Sequence, residues 1–169
     1  MLNQPLNILV LSDVHLGHRK TPTDHIINNI KSAIPDTVES DKLDMIIIPG
    51  DLFDRFLNLP QDDTYSIHGL MGYLLSLCKR RDIVLRVLEG TPSHDWKQPR
   101  LIDEINTIVG ADAKHIPILS IEHIKRFNID ILYIPDEWSH DNDDTWNQVQ
   151  SLLQEHQLEK VDFTVMHGQ

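Results

Sequence analysis

The chain has 169 residues, 40% hydrophobic and 24% charged, with a formal net charge of −11 from 26 acidic and 15 basic residues. That describes one domain, or most of one, with enough apolar side chains for a real core and a composition unlike that of disordered chains. The acidic balance argues against broad, charge-driven nucleic-acid binding, but not against a nucleic-acid enzyme, because carboxylates gathered around divalent cations also count as negative. No apolar run approaches the roughly 18 residues of a membrane helix. The N-terminus lacks a basic region followed by a long apolar one, so neither a membrane span nor a signal peptide is expected. The single cysteine, Cys78, excludes a disulfide framework and reads as a small buried hydrophobe. Together these features suggest a reducing, cytoplasmic compartment.

In chain order, Leu6–Ser12 is an apolar, β-branched run that predicts a buried strand. Thr23–Ile34 follows with isoleucines at helical spacing, starting near Thr21-Pro22-Thr23 and stopping at Pro35. Leu43–Ile48 is a second buried strand. Asp63–Lys79 is a helix carrying Ile67, Leu70, Met71, Leu74, Leu75 and Cys78 on one stripe. Ile83–Leu88 is a third strand, and Pro99–Val109 a short helix. Ile116–Ile121 and Phe127–Ile134 read as two further strands, arranged as a hairpin. The acidic stretch Pro135–Asp144 is a loop, with a role for Trp138 or His140 at a site rim as the alternative to simple solvation. Thr145–His156 is a helix, and Val161–Met166 a last, buried strand. Strand–helix alternation from the start predicts an α/β fold with a largely parallel central sheet. In such folds ligands gather beyond the carboxyl ends of the strands.

The strand ends carry a distinctive set of residues. The first leads to Asp13 and His15, the second to Asp51 and Asp54, the third to His94 and Asp95, and the last to His167. Glycine lies close by in every case. His25, His68, His115, His123, His140 and His156 have no such placement and read as solvated or hydrogen-bonded surface residues. In Asp13-Val14-His15 an extended backbone would point both ligands to one side. One hard oxygen and one imidazole suit manganese, iron or zinc better than calcium. Gly50 lets the backbone come close at Asp51, whose carboxylate has two oxygens and can bridge two ions. Without cations, so many carboxylates together would repel one another. The competing reading makes these residues turn and helix-cap formers, a role Asp and Gly also suit, above all for Asp54.

The order D-V-H, G-D-L-F-D, S-H-D and H-G, at Asp13–His15, Gly50–Asp54, Ser93–Asp95 and His167-Gly168, resembles the calcineurin-like metallophosphoesterases. Within them, D-V-H-L-G and G-D-L-F-D look most like the nuclease subunit of SbcCD-type DNA double-strand-break repair complexes and related phage nucleases. The resemblance implies a sandwich of central β-sheets flanked by helices, with two divalent metal ions, manganese foremost, or iron, zinc or magnesium. It implies that Asp13 and His15 bind one metal, that Asp51 bridges, and that His167 binds the second. It makes His94 the histidine near the leaving group and Asp54 the group that orients it. It puts Arg55 where some relatives hold phosphate, and the implied partners are DNA and an SbcC-like ATPase subunit; His18, Arg19 and Lys20, basic residues after the first strand, either touch a DNA backbone or form a solvated loop.

The chain departs from that pattern twice. Where the family has G-N-H-D or G-N-H-E, this sequence reads G-T-P-S-H-D, so Ser93 stands in the place of a metal-ligating asparagine. A later G-H-x-H motif is also missing, so the chain is expected to be an N-terminal portion, weakly active or inactive by itself. Loss of closing strands would expose an apolar edge and invite association, including with a second copy. The enzyme reading is a DNA exo- or endonuclease; the alternatives are a small-molecule or nucleotide phosphatase or phosphodiesterase, and an inactive binding scaffold. Trp96, beside His94-Asp95, is expected to pack beneath the site, with stacking on a base as the alternative.

Overall fold

A computed structural model describes residues 5–34, 43–58, 62–136 and 142–168. Pro35 and the loop residues Glu137, Trp138 and His140 lie outside the described residues. Four strands, β1 (Ile8–Val10), β2 (Met45–Ile48), β3 (Val84–Leu88) and β4 (Ala113–Ile116), form a wholly parallel sheet in the order β1-β2-β3-β4. The connections contain α1 (Thr23–Ala33), α2 (Asp62–Arg81), and then α3 (Pro92–Asp95) and α4 (Leu101–Val109) joined by a 3₁₀ turn at Gln98–Arg100. A simple 1-2-3-4 order with crossovers of one hand puts all these helices on one face. The other face is left for a second sheet.

That second sheet holds β5 (Ser120–Ile124), β6 (Ile129–Ile134) and β7 (Phe163–Met166), with α5 (Asn142–Glu155) between the last two. β5 and β6 are the antiparallel hairpin expected from the sequence, and β7 adds parallel to β6. The side chains sort by strand parity. Ile46, Ile48, Leu85 and Val87 pack with α1, α2 and α4, whereas Met45, Ile47, Val84 and Leu88 meet Ile129, Ile131 and Tyr133 of the second sheet. Leu132 and Ile121 face Val149 of α5. The result is four layers: helices, parallel sheet, mixed sheet, helix. The predicted stripe of α2 is buried throughout, including Cys78, whose thiol burial pushes up to about 12.

A charged pair lies between the sheets. Arg86, on β3, is 2% exposed. Its Nε and Nη2 donate to Glu122 of β5 at 2.6 and 3.0 Å, and Nη2 also donates to Asp112 at 2.9 Å. The Tyr133 hydroxyl donates to the same Glu122 carboxylate. The guanidinium is thereby paired and hydrogen-bonded, as a buried charge must be.

Three expectations are corrected. The run Ile116–Ile121 is not one strand: β4 ends at Ile116 and β5 begins at Ser120, in different sheets. Pro117 lies in the break, and proline cannot donate to a ladder. The first and last strands are not buried, because each is a sheet edge. Val10 is 56% exposed on β1, and Phe163 and Met166 stand half-exposed on β7. Among the described residues no helix is long and apolar enough to cross a membrane.

Candidate metal centre

The carboxyl ends of β1, β2 and β3 lie on one edge of the parallel sheet, and the loops that follow them are laced together. The amides of His15 and Leu16 donate to the carbonyls of Asp51 and Leu52, and the Asp54 amide donates back to Leu16. The backbone here is far from extended. Asp13, His15 and Asp51 have φ of 51°, 52° and 49°. This corrects the extended reading of Asp13–His15: the segment is held in a left-handed turn, a conformation non-glycine residues adopt at a cost.

Asp51 is the centre of the site. It is 6% exposed. Oδ1 accepts the Thr91 amide at 2.7 Å and lies 3.3 Å from Nε2 of His167. Oδ2 lies 2.9 Å from Nδ1 of His94. One imidazole therefore faces each oxygen. Burial by itself would raise the Asp51 carboxyl, but the His94 and Thr91 hydrogen bonds and nearby His167 bring it below the ordinary value. The bond to Asp51 conversely holds His94 above its ordinary value, against the smaller effect of its burial.

His167 comes from the second sheet. β7 runs parallel to β6, the His167 amide donates to Ile134 O at 2.9 Å, and the side chain reaches across to β2. Its Nδ1 lies 2.9 Å from the Pro49 carbonyl. A carbonyl only accepts, so Nδ1 carries the proton, and in the neutral ring Nε2 keeps a lone pair directed at Asp51 and the Thr91 hydroxyl. A ring nitrogen anchored through the opposite N–H to a backbone carbonyl is the arrangement metal-ligating histidines adopt.

His15 completes the group. Its ring meets that of His94 edge-on, with centroids 5.0 Å apart. Ligand atoms of His15, Asp51 and His94 all lie within 4.8 Å of one another, so this trio could hold a metal ion. His15 Nδ1 is buried with no hydrogen-bond partner among the described residues; Asp54 Oδ1 at 3.4 Å is an ion-pair neighbour without hydrogen-bond geometry. A buried nitrogen facing a carboxylate without a bond between them fits a site shaped for a cation.

Two features set this pocket's shape. Gly90 is so close to the Asp51 backbone that a Cβ there would sit 2.1 Å from the Asp51 nitrogen. Asp95, wholly buried, accepts the Phe53 amide at 2.8 Å and the Gly90 amide at 2.7 Å, clamping the loops after β2 and β3 together. Burial pushes its carboxyl up to about 6 despite those two amides.

The other expected residues fall as follows. Asp13 is mostly exposed, with Oδ1 4.0 Å from His15 Nε2. Asp54 stands beside His15, while the ring of His94 is oriented by Asp51. Ser93 is exposed on α3, and its carbonyl accepts the Trp96 indole N–H. Thr91, not singled out from the sequence, is the residue of that segment that touches both Asp51 and His167. His18 Nδ1 accepts the Lys20 and Thr21 amides and closes a turn, and Arg19 is exposed. Arg55 donates to the Gly17 carbonyl. His115, expected at the surface, is buried against Glu89 at 2.7 Å. Trp96, expected beneath the site, is 55% exposed. No protein-family model and no curated protein matches the chain.

Proposed function

We propose that the chain is a phosphodiester hydrolase of the calcineurin-like metallophosphoesterase type, dependent on two divalent cations, manganese foremost, with DNA as substrate. The observation that carries the reading is that His15, Asp51, His94 and His167, from the ends of four strands in two sheets, meet around one carboxylate. Imidazole and carboxylate together suit manganese, iron or zinc. His15, Asp51 and His167 would hold the cations, with Asp13 and Asp54 adding negative charge beside His15.

Divalent cations, when bound, polarise phosphoryl oxygens and make water more acidic. The chain's own groups do the rest. Thr91 and Gly90 fix where the Asp51 carboxylate sits. His94 holds a proton on Nδ1 against Asp51, and when the ring is doubly protonated the second proton, on Nε2, serves a leaving oxygen. The half-exposed ring is accessible to substrate. The motifs D-V-H-L-G and G-D-L-F-D favour DNA and an SbcC-like ATPase partner over free small molecules, and little in this chemistry requires a basic surface.

The test is manganese titration of metal-free protein by calorimetry, followed by hydrolysis of end-labelled duplex DNA and, in parallel, of free nucleotides. Manganese binding lost in Asp51→Asn, with metal-dependent cleavage of DNA, supports the reading. Turnover of nucleotides alone points to the phosphatase alternative, and failure to bind manganese at all points to a scaffold.

A further inference from the structure

Beside the metal centre lies a cleft of about 620 Å³, within the range of small-ligand sites. Its walls include Phe53, Phe56, Thr64, Ile67, Trp96 and Leu101. Phe56 and Trp96 are 49% and 55% exposed, with rings 6.0 Å apart at an interplanar angle of 63°. Two large aromatic rings left in water at the lip of a cavity are unusual for a surface with no ligand to cover them. The backbone that carries Trp96 is held at some cost: Trp96 and the next residue, Lys97, both have left-handed φ, 50° and 59°.

Cleft and metal centre share the same two loops. Phe56 is two residues past Asp54, and Trp96 two past His94. The clamp at Asp95 holds Phe53, a cleft wall, by its amide. Charge at the lip runs against the acidic whole: Lys97 and Arg100 line it, with Glu104 paired to Arg100 as the one carboxylate among the described lining residues. An apolar slot with exposed aromatic rings and a cationic lip fits a planar ring attached to an anion.

We propose that this cleft takes a nucleobase adjoining the scissile phosphate, stacked on Trp96 with the ring of Phe56 against its edge. The proposal rests on the hydrolase reading for the identity of the neighbouring phosphate, but base binding can be measured without it. Stacking on an aromatic side chain is sequence-tolerant, so the cleft selects for a base being present rather than for which base.

The experiment compares binding of deoxyadenosine monophosphate and deoxyribose 5-phosphate to chelator-treated protein by calorimetry. The nucleotide should bind at least about tenfold more tightly, and Trp96→Ala and Phe56→Ala should each remove most of that difference, with Trp96→Phe restoring part of it. Equal binding of the two ligands, or a preference that survives both alanine variants, overturns the proposal. Should an alanine variant not fold, amide shifts in the unaltered protein decide: nucleotide-specific shifts at Thr64, Phe56 and Trp96 support the cleft, and shifts elsewhere sink it. Metal-dependent DNA cleavage indifferent to an abasic site next to the cut keeps the hydrolase and rejects the cleft. Base preference without any hydrolysis does the reverse.

Discussion

Nε2 of His167 lies 3.3 Å from Oδ1 of Asp51, which joins the end of β7 in one sheet to the end of β2 in the other. The candidate site therefore touches both sheets, and a cation held by Asp51 and His167 would tie the two together. Manganese at about a hundred times its Kd should stabilise the fold by roughly 2.7 kcal/mol, seen as a rise in Tm that EDTA reverses. His167→Ala should weaken manganese binding about tenfold or more while leaving the metal-free Tm close to that of the parent. A metal-free Tm that collapses instead would make His167 a structural residue.

Gly90→Ala should damage the site more than its size suggests. The added methyl would meet the Asp51 nitrogen at 2.1 Å and Asp51 Oδ1 at 2.5 Å, and a backbone neighbour cannot swing aside. The expected cost is about 1–3 kcal/mol of stability, with manganese affinity reduced because Asp51 moves. Gly72, where an added Cβ meets nothing within 4 Å, is the control: Gly72→Ala, in the interior of α2, should be neutral or stabilising.

Asp95→Asn tests the clamp. The carboxylate accepts from two amides, Phe53 and Gly90, one on each oxygen. An asparagine side chain has a single acceptor oxygen, so one buried amide faces an NH₂ group. The loss should be about 1–3 kcal/mol in urea denaturation. The pH dependence also has a defined sign. The folded carboxyl is raised to about 6 from 3.8, so its contribution is fully present below pH 3.8 and is lost as pH rises through 6. The asparagine variant should lack that decline.

Glu122 carries the opposite slope. Burial would raise its carboxyl, but Arg86 and Lys114 together hold it below the ordinary 4.5. Its stabilisation is present above pH 4.5 and is lost as pH falls through the lowered value. Glu122→Gln should flatten acid denaturation in that window. It should also cost about 3 kcal/mol at neutral pH, the low end for breaking a buried pair, because Asp112 still accepts from Arg86. An unaltered acid limb would show that the pair is worth little.

The elements were legible where burial made the pattern simple. β2 and β3 are covered on both faces, so their sequences are near-continuous apolar runs, and α2 shows its whole stripe. Asp51 was legible for the same reason, since it follows closely on the buried run of β2. What stayed hidden depends on neighbours in space. Nothing local in Val161–Met166 says that β7 is an edge, and Arg86 in mid-strand finds its carboxylate only when β5 crosses beneath it. Thr91 was passed over for Ser93 because motif alignment counts positions. The four-residue helix after Pro92 then turns Ser93 outward and leaves Thr91 against Asp51.

The left-handed backbone at Asp13, His15 and Asp51 sets stability against chemistry at these positions. Glycine would relax the backbone at each of them, so a screen that rewarded heat resistance alone would enrich a substitution such as Asp13→Gly, whose side chain is mostly exposed. Hardier descendants selected that way would keep the sandwich and lose its reason for being folded so tightly at one edge.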